Sequence, residues 1–114
     1  MAITYDDFAK LELRIATVLE CRIHPNADKL LVLQIDLGGE RRQICAGLRA
    51  YYQPEQLTGK QVIVVANLEP RTMRGEVSQG MLLAATDASN PDPAAARVII
   101  VCPVDTVPPG SVVK

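Results

Sequence analysis

The chain has 114 residues, with 12 Lys or Arg residues against 13 Asp or Glu residues and a formal net charge of -1. This length allows one domain, so we expect residues 1–114 to form a single unit with its own core. Apolar types make up 48 % and charged types 22 %, which excludes a disordered chain, while the near-neutral total indicates no nucleic-acid or membrane partner by itself.

The N-terminus lacks a basic segment followed by an apolar one, so we expect no secretory signal. No apolar run approaches the ~20 residues that a membrane-spanning helix needs, so no membrane partner is expected. Three widely spaced cysteines, none in a C-x-x-C pair, indicate a reduced, cytoplasmic protein in which Cys acts as a small hydrophobe. With His24 the only histidine, and expected in a solvated turn, no metal or cofactor is expected.

The chain opens with a predicted short helix and a long strand. Thr4 and Asp7 form a weak capping box, which predicts a helix that ends near Lys10. Apolar residues then occupy most odd-numbered positions over 11–23 while charged residues occupy even-numbered ones. This period of two predicts a half-buried strand with the odd-numbered side chains inward, including Leu19 and Ile23.

The next predicted elements form a β-hairpin. Residues 24–29 contain Pro and Asn and break the first strand, and alternation resumes over 30–37. Gly38 and Gly39 follow, and they supply the positive φ angles that a tight turn requires. We therefore expect a return strand over 40–46.

The second half of the chain predicts a short helix and further strands. The helix is expected between Pro54 and Gly59. The strands are expected over 61–68, 81–87, 97–102 and 112–113. Residues 69–80 are expected to form a polar loop, bounded by a Pro and a Gly.

Five or six strands with two short helices fit a small closed barrel or a sandwich. A long first strand, a Gly-Gly hairpin and a helical insertion before the fourth strand favour the barrel. The predicted fold class is therefore all-β: a five-stranded oligonucleotide-binding (OB) barrel with one or two short helices and C-terminal extension strands.

Charge is distributed unevenly along the chain. Residues 41–74 carry six basic and two acidic side chains, a net of +4, so the remainder carries -5. Such segregation can make one face attractive to phosphate, although an accidental bias of a solvated surface explains it equally well. Within this region Arg71 and Arg74 precede Ser78 and Gln79 in the polar loop, where guanidinium groups can pair with phosphates and hydroxyl or amide groups with ribose or base edges.

The scarcity of aromatic residues restricts how RNA can be recognised. Only Tyr51 and Tyr52 are candidates for stacking bases, and we expect them to pack the helical insertion against the barrel instead. Met73 and Met81 are expected in the core. Recognition by the shape and backbone of a folded RNA is therefore predicted over stacking of single strands.

The sequence resembles a known family. The stretches that carry the resemblance are LELRIATVLECRIHPNADKL, DLGGERRQICAGL, LTGKQVIVVANLEPRTMRG and SQGMLLAA. They are similar to the tRNA-binding domain that occurs free-standing in bacteria and at the C-terminus of many bacterial methionyl-tRNA synthetases, with relatives in a secretion-chaperone-like family. The resemblance covers about Ile3 to Lys114 and is most specific over 67–83.

This resemblance implies an OB barrel that binds tRNA by shape, commonly as a homodimer. The N-terminal segment and the tail after Cys102 are similar to the family's dimerising elements. Carried over residue by residue, the resemblance implies RNA contacts at Asn26, Lys29, Arg42, Asn67, Arg71, Arg74, Ser78 and Gln79.

Three hypotheses follow from the sequence. The first is a non-enzymatic, homodimeric tRNA-binding protein, because no nucleophile, base and orienting group can be assembled from its motifs. The second is a chaperone-like protein that binds unfolded or export-bound polypeptide. The third is a cofactor or appendage of methionyl-tRNA synthetase whose catalytic body is a separate polypeptide.

Overall fold

A computed structural model describes all residues, 1–114, as ten strands and three short helices. The strands are β1 (Leu13–Ile23), β2 (Leu31–Asp36), β3 (Arg41–Ala46), β4 (Gln61–Val65), β5 (Arg71–Met73), β6 (Glu76–Ser78), β7 (Met81–Leu82), β8 (Ala84–Asp87), β9 (Arg97–Ile100) and β10 (Val112–Val113). The helices are α1 (Tyr5–Ala9) and α2 (Pro54–Leu57), with one turn of 3-10 helix at Pro93–Ala95.

The main sheet has the strand order β3-β2-β1-β4-β7, and β10 pairs with the start of β1. Two hairpins, β5–β6 and β8–β9, lie outside that sheet, and all pairings are antiparallel. The sheet curls strongly around its core, and α2 lies in the connection between β3 and β4. This confirms the predicted all-β OB barrel with two short α-helices and a C-terminal extension strand.

Local signals predicted the short helices well. The Thr4 hydroxyl accepts a hydrogen bond from the Asp7 N–H at 3.1 Å, so Thr4 is the N-cap of α1. Helix α2 begins at Pro54, and Gly59 adopts a φ of +86° just after its end. Both signals act within a few residues, so the sequence alone contains them.

The alternation predicted for the first strand is wrong beyond its middle. A register shift lies between Val18 and Glu20, where β1 departs from its regular pairing with β2. An extra residue at such a bulge shifts the inward set by one position. Ala16 and Val18, at even-numbered positions before the bulge, are buried in the core, and Cys21, at an odd-numbered position after it, packs against that core. Leu19 and Ile23 are 39 % and 43 % exposed.

The core is aliphatic, as the shortage of aromatic residues predicts. In β2 and the residue after it, the expected inward side chains are all buried; these are Leu31, Leu33, Ile35 and Leu37. Tyr52 packs against this core as predicted, and its hydroxyl oxygen accepts a hydrogen bond from the Ile100 N–H at 3.1 Å. Tyr51 is exposed, and Met81 is 49 % exposed, so the core position predicted for Met81 is wrong.

The C-terminal tail packs closely against the β2–β3 turn where Gly110 meets Gly38. Gly38 and Gly39 have φ angles of +83° and +86°, which confirms the predicted turn. A Cβ atom on Gly38 would lie 2.4 Å from the Pro109 carbonyl oxygen, and one on Gly110 would lie 2.4 Å from the Leu37 carbonyl oxygen. The two backbones therefore approach too closely for any side chain at either position.

Candidate nucleic-acid interface

Most of the predicted site residues lie on two connections. The first is the β1–β2 loop, residues 24–30, and the second is the segment 69–80, predicted as a polar loop. That prediction is wrong, because residues 71–78 form the β5–β6 hairpin. Its two-residue turn places Arg74 at a φ of +53° and Gly75 at +92°, and positive φ angles at both central residues suit the twist of paired strands. With three-residue strands, the alternation is too short to identify in sequence.

The β5–β6 hairpin packs against the outer face of the barrel. Cys45 of β3 contacts the hairpin, and both Cys45 and its cross-strand partner Val32 of β2 are buried outside the main core cluster. The Ser78 hydroxyl accepts the Cys45 N–H at 2.9 Å and donates to the Gly80 carbonyl at 3.0 Å. Burial raises the pKa of the Cys45 thiol. Ser78 therefore secures the base of the hairpin and is itself buried.

A polar network joins β3 to the hairpin and to the residue that follows it. The Gln43 carbonyl oxygen accepts a hydrogen bond from the Gln79 N–H at 2.8 Å, and the Gln43 N–H donates to Gln79 Oε1 at 3.1 Å. The Gln43 amide donates to the Val77 carbonyl at 2.9 Å and to Glu76 Oε2 at 3.1 Å. Arg22 Nη2 lies 2.7 Å from Glu76 Oε1, and this hydrogen bond lowers the pKa of the Glu76 carboxyl.

His24 joins the β1–β2 loop to the hairpin, and the prediction that it is a solvated turn residue is wrong. The side chain is only 3 % exposed. The Asn26 N–H donates to Nδ1 at 3.0 Å, which assigns the proton to Nε2, and Nε2 lies 2.8 Å from the Met73 carbonyl oxygen. Its partner on the hairpin lies 49 residues further along the chain, so no local pattern reveals this contact.

Between the loop and the hairpin lies a cleft of about 520 Å³, lined by residues 27–30 and 71–74, which we call the basic cleft. Lys29, Arg71 and Arg74 are exposed on its walls, and none of them is in an ion pair. Arg49, also outside every ion pair, donates its backbone N–H to the Lys29 carbonyl at 3.3 Å. Asp28 is the one acidic residue in the lining, so the cleft keeps a positive balance.

The positive charges predicted over residues 41–74 do not all lie on one free basic surface. Arg41 pairs with Glu20 at 3.6 Å and Arg42 with Glu40 at 2.9 Å, so their charges are largely neutralised. Lys29, outside that segment, joins the basic cleft instead. Ion pairs between strands depend on the register of the sheet, so counting charges along the chain cannot identify them.

The remaining predicted site residues make hydrogen bonds within the protein. Asn67 accepts the Glu12 N–H at 2.9 Å and donates to the Lys10 carbonyl at 2.7 Å, so it holds the α1–β1 junction. Arg42 donates to the Ala66 carbonyl. The structure brings together at or beside the basic cleft Asn26, Lys29, Arg71 and Arg74, and the sequence analysis missed the roles of His24 and Arg49 in building it.

A second cleft, of about 750 Å³, adjoins the basic cleft, and we call it the apolar groove. It shares Arg71 and Met73 with the basic cleft, Glu69 is the one acidic residue in its lining, and most of the remaining lining is apolar. Leu68 and Met81 on its walls are among the exposed large hydrophobic side chains. No three His, Cys, Asp or Glu side chains cluster as a metal site would require. None of the helices combines the length and apolar character that crossing a bilayer requires.

Oligonucleotide-binding barrels bind their ligands over strands 2 and 3, between the loop after the first barrel strand and the loop before the fifth. In this chain the fifth barrel strand is β7, so these connections are the β1–β2 loop and the segment that contains the β5–β6 hairpin. The basic cleft lies between them, so fold and site define a nucleic-acid-binding barrel. The chain belongs to the family described as the putative tRNA binding domain, which matches residues 13–111. This confirms the family resemblance identified in the sequence.

The curated relatives are much longer proteins, and this chain matches only a segment of each. The chain is 56 % identical over 88 residues to a methionine–tRNA ligase of Pyrococcus horikoshii, covering 77 % of this chain and 12 % of the relative. It is 49 % identical over 114 residues to a methionine–tRNA ligase of Pyrococcus abyssi, covering 100 % of this chain and 15 % of the relative. The chain thus spans less than a sixth of the length of these relatives.

Solved structures of similar length share the whole fold. A MetRS-related protein from Pyrococcus horikoshii is 31 % identical with a TM-score of 0.89, and the match covers 100 % of this chain and 99 % of that one. The chaperone CsaA from Bacillus anthracis is 28 % identical with a TM-score of 0.84, and both chains are fully covered.

Proposed function

We propose that the protein binds folded tRNA through the basic cleft, by contacts to the phosphate backbone and by overall shape. The observation that carries this proposal is the convergence of Lys29, Arg71 and Arg74 from two separate segments, with no carboxylate paired to any of them. Unpaired guanidinium groups form two-pronged hydrogen bonds with phosphate oxygens. Family membership supports tRNA as the nucleic acid.

The predicted site residues divide into two roles within this proposal. Asn26, Lys29, Arg71 and Arg74 contact the RNA, because their side chains are exposed beside or within the cleft. The others have structural roles through the hydrogen bonds already described: Ser78 and Gln79 tie the hairpin side of the cleft to β3, while Arg42 and Asn67 hold other parts of the barrel.

The salt dependence of tRNA affinity tests the proposal. Each phosphate contact releases counterions, so Arg71→Ala and Arg74→Ala should each flatten the plot of log affinity against log salt by roughly one unit. Lys60→Ala is the matched control, because Lys60 is also exposed and unpaired but does not line the cleft. Equal slopes for all three variants and the wild type would contradict the proposal.

We propose further that the protein acts as a homodimer. A groove of about 400 Å³ lies between the N-terminal segment and β10, where Tyr5, Leu11 and Val112 are exposed apolar side chains. A second copy would remove these side chains from water. Leu11→Asp should then shift the sedimentation coefficient from dimer to monomer, whereas Tyr51→Asp, at an exposed position outside the groove and outside the C-terminal tail, should not. A wild-type monomer would contradict this.

The relation to methionine–tRNA ligases supports a non-catalytic role as a cofactor or appendage of methionyl-tRNA synthetase. A cytoplasmic location fits the three free cysteines. Co-purification of the synthetase with this chain from the source cell tests the association, and its absence would favour independent action.

A second candidate function is chaperone-like binding of unfolded or export-bound polypeptide. It is supported by the likeness to CsaA, which is described as a chaperone. Suppression of the aggregation of an unfolded test protein, measured with and without excess tRNA, separates the two functions. Suppression that tRNA does not compete would favour the polypeptide role.

A further inference from the structure

The apolar groove adjoins the basic cleft and differs from it in chemistry. Leu68 and Met81 expose much of their side chains within the groove, and Leu48 and Val98 add further aliphatic surface. Arg71 stands on the boundary and belongs to both linings. A ligand that spans the two clefts must therefore be anionic at one end and apolar a short distance away.

We propose that the apolar groove receives an unpaired nucleobase of the bound RNA while the adjoining phosphate lies at Arg71. This inference rests on the proposed tRNA-binding function. A nucleotide joins an anionic phosphate to a flat, largely apolar ring, which matches the sequence of surfaces from Arg71 into the groove. A base inside a duplex is stacked and paired, so only bases in loops, bulges or ends can enter.

The groove can hold a base without an aromatic platform. Met73 and Met81 both line it, and thioether sulfur makes favourable contacts with aromatic rings. Arg71 also presents a planar guanidinium, on which bases stack in RNA complexes. Contacts of this kind are made to the face of the ring, and because every base has such a face they distinguish one base from another only weakly. The groove therefore selects for an unpaired nucleotide at this place in the RNA more than for a particular base.

Filling the groove tests the inference. Ala84 is exposed and lines the groove, so Ala84→Phe should occupy it without disturbing the core. Ala85 is the matched control, because it is the next residue of β8, is also exposed and lies outside the groove lining. Adjacent residues of a strand project to opposite faces, so Ala85→Phe adds the same surface elsewhere.

Affinities are measured for a tRNA transcript and for a fully paired RNA duplex with the same number of nucleotides. We expect A84F to weaken tRNA binding by about tenfold, the loss expected from one base contact, and to leave duplex binding and the salt slope unchanged. A85F should match the wild type on both RNAs. Met81→Ala, which removes an exposed wall of the groove, should weaken tRNA binding in the same way and is measured whether or not A84F folds.

The outcomes separate this inference from the function on which it rests. If A84F and M81A bind tRNA like A85F, the groove does not hold a base, while the Arg71 and Arg74 salt slopes still decide tRNA binding. If the groove variants lose suppression of polypeptide aggregation but keep tRNA affinity, the groove binds polypeptide and the inference is overturned. Equal loss on tRNA and duplex would also overturn it, since a duplex has no base to insert.

Discussion

Replacing His24 by Asn or by Gln separates the two hydrogen bonds of its imidazole. In H24N the side-chain amide lies near the position of Nδ1, so it keeps the bond to the Asn26 N–H but does not reach the Met73 carbonyl. In H24Q the amide nitrogen takes the place of Nε2 and keeps the bond to Met73. Only the second bond connects the β1–β2 loop to the hairpin.

The structure sets the size of the expected effects. A typical hydrogen bond contributes about 1 kcal/mol, and a buried carbonyl left without a donor costs ~1–3 kcal/mol. H24N should therefore lower the free energy of unfolding by about 2 kcal/mol and H24Q by about 1 kcal/mol. Arg74 directly follows Met73, and Lys29 lies on the loop, so losing the bridge separates the two sides of the basic cleft. If restoring their arrangement costs about 1–2 kcal/mol, tRNA affinity falls roughly 5- to 30-fold in H24N.

Denaturant unfolding gives the stability of each variant, and fluorescence anisotropy with labelled tRNA at fixed salt gives its affinity. Amide hydrogen exchange over residues 71–78 should increase in H24N and remain close to wild type in H24Q. The reasoning is refuted if H24N binds tRNA as tightly as the wild type, or if affinity in the two variants follows global stability and not the bond to Met73.

Three further predictions concern the fold and its ionisable groups. Gly110→Ala should lower the free energy of unfolding by at least about 2 kcal/mol, because its Cβ would collide with backbone at a φ of +88°. Gly39→Ala, with open space around it, should lower it by only about 1 kcal/mol. Equal denaturation midpoints for the two variants would contradict this. Burial, with a smaller contribution from a nearby carboxylate, raises the pKa of Cys21 from 9.0 to about 11, so at pH 8 its alkylation, followed by mass spectrometry, should be about 100-fold slower than that of an ordinary thiol and should recover in urea. The hydrogen bond from Arg22 lowers the pKa of Glu76 below 4.5, so the folded state binds fewer protons than the unfolded state as the pH falls through this range. The stability advantage of the wild type over Glu76→Gln should therefore be full above about pH 5 and shrink on acidification, and an advantage that does not change with pH would contradict this.

Interactions between residues close in sequence were predicted well. Thr4 caps α1 through a residue three positions away, and the turn at Gly38 needs only the conformational freedom of its own residues. The alternation of β2 also appears correctly, because a regular strand buries every second residue. The change of face in β1 was missed, although Ala16 and Val18 are apolar at even-numbered positions, because the apolar residues at odd-numbered positions outnumber them.

The binding surface shows the limit of reading charge along a chain. A net charge of +4 over residues 41–74 indicated a basic face, but Arg41 and Arg42 form ion pairs with carboxylates. The face that remains combines Arg71 and Arg74 with Lys29 from a distant loop. The Arg42–Glu40 pair is local, but the Arg41–Glu20 pair and the approach of Lys29 to Arg71 and Arg74 depend on tertiary structure.

The sequence by itself determined the fold class, the family and the two segments that carry the basic residues of the cleft, because these follow from periodicity, turn residues and motifs that are local in the chain. Only the tertiary structure decided that the second segment is a hairpin, that His24 is buried and joins it to the β1–β2 loop, that Ser78 is buried beneath it, and that an apolar groove adjoins the basic cleft. Each of these features depends on contacts between residues tens of positions apart. Such contacts exist only once the barrel closes and the hairpin packs on its outer face.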